Sequence, residues 1–100
     1  MTTQPRTASA AGVSLSERDI AGFVVERFLP GVAAGELDPE YDLLATAVID
    51  SLAVLHVAAW LEQRYGIELA DAELTGRNFR TVRAIRLTAE RAAATGGGQA

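Results

Sequence analysis

Asp50 and Ser51 stand side by side where an irregular acidic segment gives way to the most regular apolar periodicity in the chain. A serine there could be a nucleophile, an acceptor for a group transferred by another enzyme, or a helix cap. As a nucleophile it needs a base within hydrogen-bond reach. The chain has one histidine, His56, and at 100° per residue a five-residue separation turns it about 140° away from Ser51 around a helix. The two cannot pair as nucleophile and base. With no cysteine, no lysine and no glycine-rich phosphate loop ahead of a helix, no residue is assigned a catalytic role and the chain is not expected to be an enzyme. If Ser51 acts, it acts as a passive acceptor. A phosphate ester on the first turn of a helix meets free N–H groups and the positive end of the helix dipole. An Asp-Ser pair also reads as a plain N-cap, so the rest of the chain has to separate cap from acceptor.

The remaining polar groups narrow the choice. His56 lacks companions at metal-ligand spacing, and no metal is expected. Glu36, Asp38, Glu40 and Asp42 alternate like a cation-binding loop, but the turn glycine and terminal bidentate glutamate of an EF-hand are missing, which leaves a solvated or steering surface. Residues 34–73 carry nine acids and one base, Arg64, whereas residues 74–100 carry five arginines and one glutamate. Phosphates would be repelled from the acidic middle, so nucleic acid is not an expected partner. Arg77, Arg80, Arg83 and Arg86 read as a solvated helix face. A nucleic-acid binder using Arg77 to Arg91 is the competing reading, and its binding would weaken steeply with salt. No apolar run is long enough to span a membrane, and the N-terminal residues lack the basic-then-apolar layout of a secretory signal. A cytoplasmic, monomeric, free-standing protein is expected.

These residues need elements to position them. One hundred residues are enough for one small domain. Nineteen of the apolar residues are alanine, so the core must come from Leu, Val, Ile and a few aromatics. Residues 1–13 show no periodicity and read as a disordered leader, residues 14–94 as the domain, and residues 95–100 as a tail. Ser14-x-x-Glu17 and Ser16-x-x-Asp19 both fit a cap before the apolar pattern Ile20, Phe23, Val24, Phe28, predicting a helix over Leu15–Leu29 stopped by Pro30-Gly31. A long loop follows, pinned by Leu37, Tyr41, Leu43, Leu44 and Val48-Ile49. The second helix is predicted over Ser51–Tyr65, stopped by Gly66, with Val54, Val57, Ala58, Leu61 and Tyr65 on its core face. Its outer face carries Ala53, Leu52, Leu55, His56 and Ala59 with Glu62, and exposed apolar groups gathered there mark a partner surface. Trp60 sits on the flank as core rim or contact. A short helix within Asp71–Phe79, with Thr75 as cap, precedes a last helix capped by Thr81, facing Val82, Ile85 and Ala89 inward and ending near Ala93. No segment alternates like a strand. The class is all-α, three main helices plus one short helix with a long loop between the first and second.

The segment Asp42-Leu43-Leu44-Ala45-Thr46-Ala47-Val48-Ile49-Asp50-Ser51-Leu52 resembles the phosphopantetheine attachment motif of acyl and peptidyl carrier proteins. Leu61-Glu62-Gln63-Arg64-Tyr65-Gly66-Ile67-Glu68-Leu69 resembles the end of their second helix and the turn after it, and Asn78-Phe79-Arg80-Thr81-Val82-Arg83-Ala84-Ile85 the entry to their last helix. The similarity runs from about Leu15 to Ala93. It implies a four-helix carrier bundle and a covalent 4'-phosphopantetheine on Ser51, brought from coenzyme A by a phosphopantetheinyl transferase that supplies metal and base. The arm would hold an acyl or aminoacyl group as a thioester. Asp50 would orient the segment, and Leu52, Leu55, His56, Ala59 and Glu62 would meet the transferase, a loading enzyme and a downstream synthase or tailoring enzyme. Such motifs usually carry glycine where this chain has Ala47, which matters if the backbone there is left-handed. The apolar outer face, unlike the acidic one of fatty-acid carriers, implies polyketide-type or nonribosomal-peptide-type secondary metabolism. The alternative is a non-covalent helical adaptor using Leu52, Leu55 and Trp60.

Overall fold

Ser16 starts the first helix. Its Oγ accepts from the amides of Arg18 at 3.0 Å and Asp19 at 3.3 Å, satisfying two donors that a first turn leaves without partners. The structure, a computed structural model, describes residues 15–97, and helix α1 spans Glu17–Phe28. The Ser16 cap is the one used; Ser14, the leader expected at residues 1–13 and residues 98–100 lie outside the described residues. Ile20, Ala21, Val24 and Val25 form the buried stripe of α1.

Helix α2 spans Ser51–Tyr65, between the Asp50 cap and Gly66, whose φ of 72° ends the helix in the left-handed region that glycine enters without steric cost. Ala53, Val54, Val57 and Leu61 are buried on it. Ala53, expected on the outer face, is therefore corrected to the core. It lies four residues before Val57, on the same side of the helix. Ala58 and Tyr65, expected in the core stripe, are half-buried.

Helix α3 spans Val82–Gly97. Thr81 caps it, its Oγ1 accepting from the Ala84 amide at 3.0 Å, and Val82, Ile85 and Ala89 are buried as expected. The helix continues past Ala93, so the backbone of residues 95–97 is helical where a tail was expected. Adding a residue to an existing helix forms one bond for one residue fixed, and that offsets the poor propensity of glycine. The short helix expected within Asp71–Phe79 is instead two 3₁₀ turns, Asp71–Glu73 and Arg77–Phe79. Thr75 Oγ1 accepts from the Asn78 amide at 3.3 Å. No strand occurs among the described residues, and the class is all-α.

The long loop is held as the sequence implies, with one exception. Leu37, Leu43 and Ile49 are buried, and Leu44 and Val48 pack against the core, whereas Tyr41 is exposed.

The arginine series is not a freely solvated face. Arg86 Nε donates to Glu17 Oε2 at 2.8 Å and Arg83 Nε to the same oxygen at 3.4 Å. Arg83 also pairs with Glu40, and Arg80 lies 3.5 Å from Asp42. These pairs tie α3 to the start of α1 and to the long loop. The hydrogen bond from Arg86 is the main cause that holds the Glu17 carboxyl below its ordinary value of 4.5, against a smaller desolvation that raises it. The folded chain keeps Glu17 ionised to lower pH than the unfolded chain does. The stability it contributes is complete above pH 4.5 and is lost as pH falls through the folded-state value. Glu17→Gln should lower Tm by a few °C at neutral pH, with the melting temperatures of variant and wild type converging in acid. A gap that stays constant with pH would contradict this role.

Candidate functional site

The segment ahead of Ser51 is a closed turn. Asp42 Oδ1 accepts from the amides of Leu44 at 3.1 Å and Ala45 at 2.8 Å. The Asp42 carbonyl accepts from the Thr46 amide at 3.3 Å and the Thr46 hydroxyl at 2.8 Å. The amides of Val48 and Ile49 both donate to the Leu43 carbonyl, at 2.9 and 3.0 Å. Leu43 is fully buried, and its own amide donates at 2.7 Å to the carbonyl of Arg80, just ahead of α3.

Within this turn Ala47 has φ of 62°, a left-handed backbone and the one positive φ at a non-glycine among the described residues. Holding an L-residue there costs about 1–2 kcal/mol, part of which glycine gives back as unfolded-state entropy. Ala47→Gly is therefore expected to stabilise the fold by about 0.5–1 kcal/mol in denaturant titration. A loss of stability would show that the methyl group makes a contact worth more than the strain.

Asp50 follows in extended conformation, with φ of −121°, and its Oδ1 accepts from the Ala53 amide at 2.9 Å. Asp50 is thus the cap, which leaves Ser51 free. Ser51 is the first residue of α2 and is exposed. Among the described residues nothing is hydrogen-bonded to its hydroxyl, and no group accepts from the amides of Ser51 or Leu52. Free amides and the positive end of the α2 dipole lie where an anion on the serine would sit. Beside it opens a cleft of about 310 Å³ lined by Leu44, Asp50, Ser51, Val54, Leu55, Leu74 and Gly76. A larger, more open groove of about 670 Å³ runs along α1 beside Trp60 and Arg64, and none of the residues around Ser51 lines it.

Leu52 and Leu55 are 60% and 52% exposed, so they do not pack beneath the long loop. Ala59 and Glu62 are exposed on the same helix and His56 is half-buried. Trp60 resolves to core rim. Its ring stacks on Phe23 at 4.7 Å and meets Tyr65 edge-on at 5.7 Å. Tyr65 in turn donates to Asp19 Oδ2 at 3.1 Å; burial first, and then this bond, push its pKa above 10.

Some residues at the site went unread in the sequence. Gly76 looks like a weak point in a helix, yet a Cβ there would lie 3.0 Å from Leu44 Cδ1, so its lack of a side chain lets two cleft walls meet. Asn78 holds the outer wall in place. Its Nδ2 donates to the Glu73 carbonyl at 2.9 Å and its carbonyl accepts from the buried Thr88 at 3.4 Å. In the sequence alone Asp42 belongs to an acidic run that reads as a solvated or steering surface. The local signal is an aspartate outside any helix period, whose short side-chain oxygen can accept from the amide two residues on.

An exposed serine at a helix N-terminus, beside amides that have no acceptor among the described residues, fits an ester-linked phosphate group. A family model described as the phosphopantetheine attachment site matches residues 28–86. No curated protein and no solved structure matches the chain. The match covers more than half of the sequence, from the end of α1 into α3, and encloses the whole of α2 with the turn before it. The chain therefore belongs to the phosphopantetheine-attachment family of carrier proteins, whose domain is the attachment site of a covalently bound 4'-phosphopantetheine prosthetic group.

Proposed function

We propose that Ser51 is the residue that carries the 4'-phosphopantetheine and that the chain is a carrier, not an enzyme. The observation that supports this most directly is the exposed Ser51 at the first position of α2, whose hydroxyl has no hydrogen-bond partner among the described residues, inside the segment that matches the family. When bound, the group supplies a terminal thiol that holds an acyl or aminoacyl cargo as a thioester. Ser51 would offer its oxygen to the pyrophosphate phosphorus of coenzyme A that bears the pantetheine, the nucleotide half leaving as its P–O bond breaks; the serine proton would pass to a base of the transferase, because no side chain among the described residues is bonded to that hydroxyl. Asp50 fixes the start of α2 through the Ala53 amide and adds negative charge where the transferase docks.

The partners of this reading are a phosphopantetheinyl transferase, an acyl- or aminoacyl-loading enzyme and a downstream synthase or tailoring enzyme. Leu52, Leu55 and Ala59 form the contact patch, with His56 and Glu62 at its border. Burial of Ala53 narrows that patch but leaves its apolar character, and this supports a carrier of polyketide-type or nonribosomal-peptide-type secondary metabolism. A non-covalent adaptor is less well supported, because Trp60 is engaged with Phe23 rather than presented. Mass spectrometry after incubation with coenzyme A and a broad-specificity transferase tests the reading. A gain of one phosphopantetheine is expected, and no gain would overturn it.

A further inference from the structure

We propose that Asp42 is a positioning residue for the modification of Ser51, and that its Oδ1 atom, not its charge, performs this role. The inference rests on Ser51 being the attachment residue. A backbone accounting carries it, since buried or constrained amides need partners. From Leu43 to Ile49 every amide is satisfied, and the acceptors all come from four residues. Leu43 donates to Arg80 O, Leu44 and Ala45 to Asp42 Oδ1, Thr46 to Asp42 O, Ala47 to Leu44 O, and Val48 and Ile49 to Leu43 O. Asp42 is the one side chain in that set. Without Oδ1 the amides of Leu44 and Ala45 lose their partners at the start of the turn.

The consequence reaches Ser51 through Ala47. A left-handed alanine persists only where its surroundings over-determine it, and the turn supplies that constraint. Once the turn is loosened, Ala47 relaxes toward negative φ and the entry into α2 is no longer held in one geometry. The transferase must then select a minor arrangement of Ser51, which raises KM for the carrier more than it lowers kcat. The charge of Asp42 matters little by comparison. Its Oδ2 lies 3.5 Å from Arg80 Nε, with the two side chains 40% and 59% exposed, the geometry of a weak surface pair. Asparagine keeps an Oδ1 acceptor of the same shape and makes the same Asx turn.

The test is steady-state kinetics of phosphopantetheinyl transfer from coenzyme A to the full chain by a broad-specificity transferase. Wild type, Asp42→Ala, Asp42→Asn and Arg80→Gln are compared, with circular dichroism at the assay temperature. Asp42→Ala should lower kcat/KM by about tenfold, mostly through KM, while Asp42→Asn and Arg80→Gln stay within about twofold of wild type. Should Asp42→Ala lose its helical signal, Asp42→Ser takes its place, with an expected loss of about threefold because a hydroxyl makes the same turn more weakly. Equal rates for wild type and both the Ala and Ser variants, or an Asn variant as impaired as Ala, would overturn the role of Asp42. A wild-type chain that accepts no group at all would instead overturn the assignment of Ser51.

Discussion

Ser51→Ala is expected to abolish the phosphopantetheine mass gain completely while leaving the domain folded. Both halves of that expectation come from the division of labour at the start of α2. The capping bond belongs to Asp50, whose Oδ1 takes the Ala53 amide, and the serine hydroxyl bonds nothing among the described residues. Deleting it removes no buried contact from an exposed position, and alanine is the better helix former. Stability should change by no more than about 0.5 kcal/mol. Modification, by contrast, has no substitute oxygen at that place in the helix. A mass gain that survives the substitution would put the attachment on another residue.

Leu55→Asp should have the next largest effect, a drop of at least about tenfold in kcat/KM for modification or loading, with helix content unchanged. Leu55 is 52% exposed one turn after Ser51 and borders the cleft at its foot. Aspartate there has lower helix propensity by about half a kcal/mol, partly offset by a negative charge near the positive end of the dipole. The fold therefore tolerates the change. An apolar contact surface does not, because a partner would have to desolvate a carboxylate against its own apolar groups. Normal rates of both modification and loading would show that the contact patch lies elsewhere.

The α2 boundaries were legible because each is set by one residue and its immediate neighbours. Asp50 caps and Gly66 turns left-handed wherever the chain goes next, and the period of Val54, Val57 and Leu61 needs no knowledge of what they pack against. The same holds for Thr81 and the stripe of α3. Ala53 was misplaced because alanine is small enough to suit either face, and only the approach of neighbouring elements decides. Trp60 could not be sided without Phe23, which comes from α1. The short helix expected within Asp71–Phe79 became two 3₁₀ turns because Asn78 is bracketed by Glu73 and Thr88.

By itself the sequence determined the all-α class and both ends of α2, the Asp50 cap and the Gly66 stop. All of these depend on side chains acting on backbone within a few residues. Tertiary structure alone decided that the arginines of α3 and its approach are bound to Glu17, Glu40 and Asp42, and that Leu44, Leu74 and Gly76 gather into a cleft beside Ser51. Those outcomes join residues far apart in the chain. Their partners are chosen by packing, and no local spacing encodes which of several acids or apolar groups will arrive.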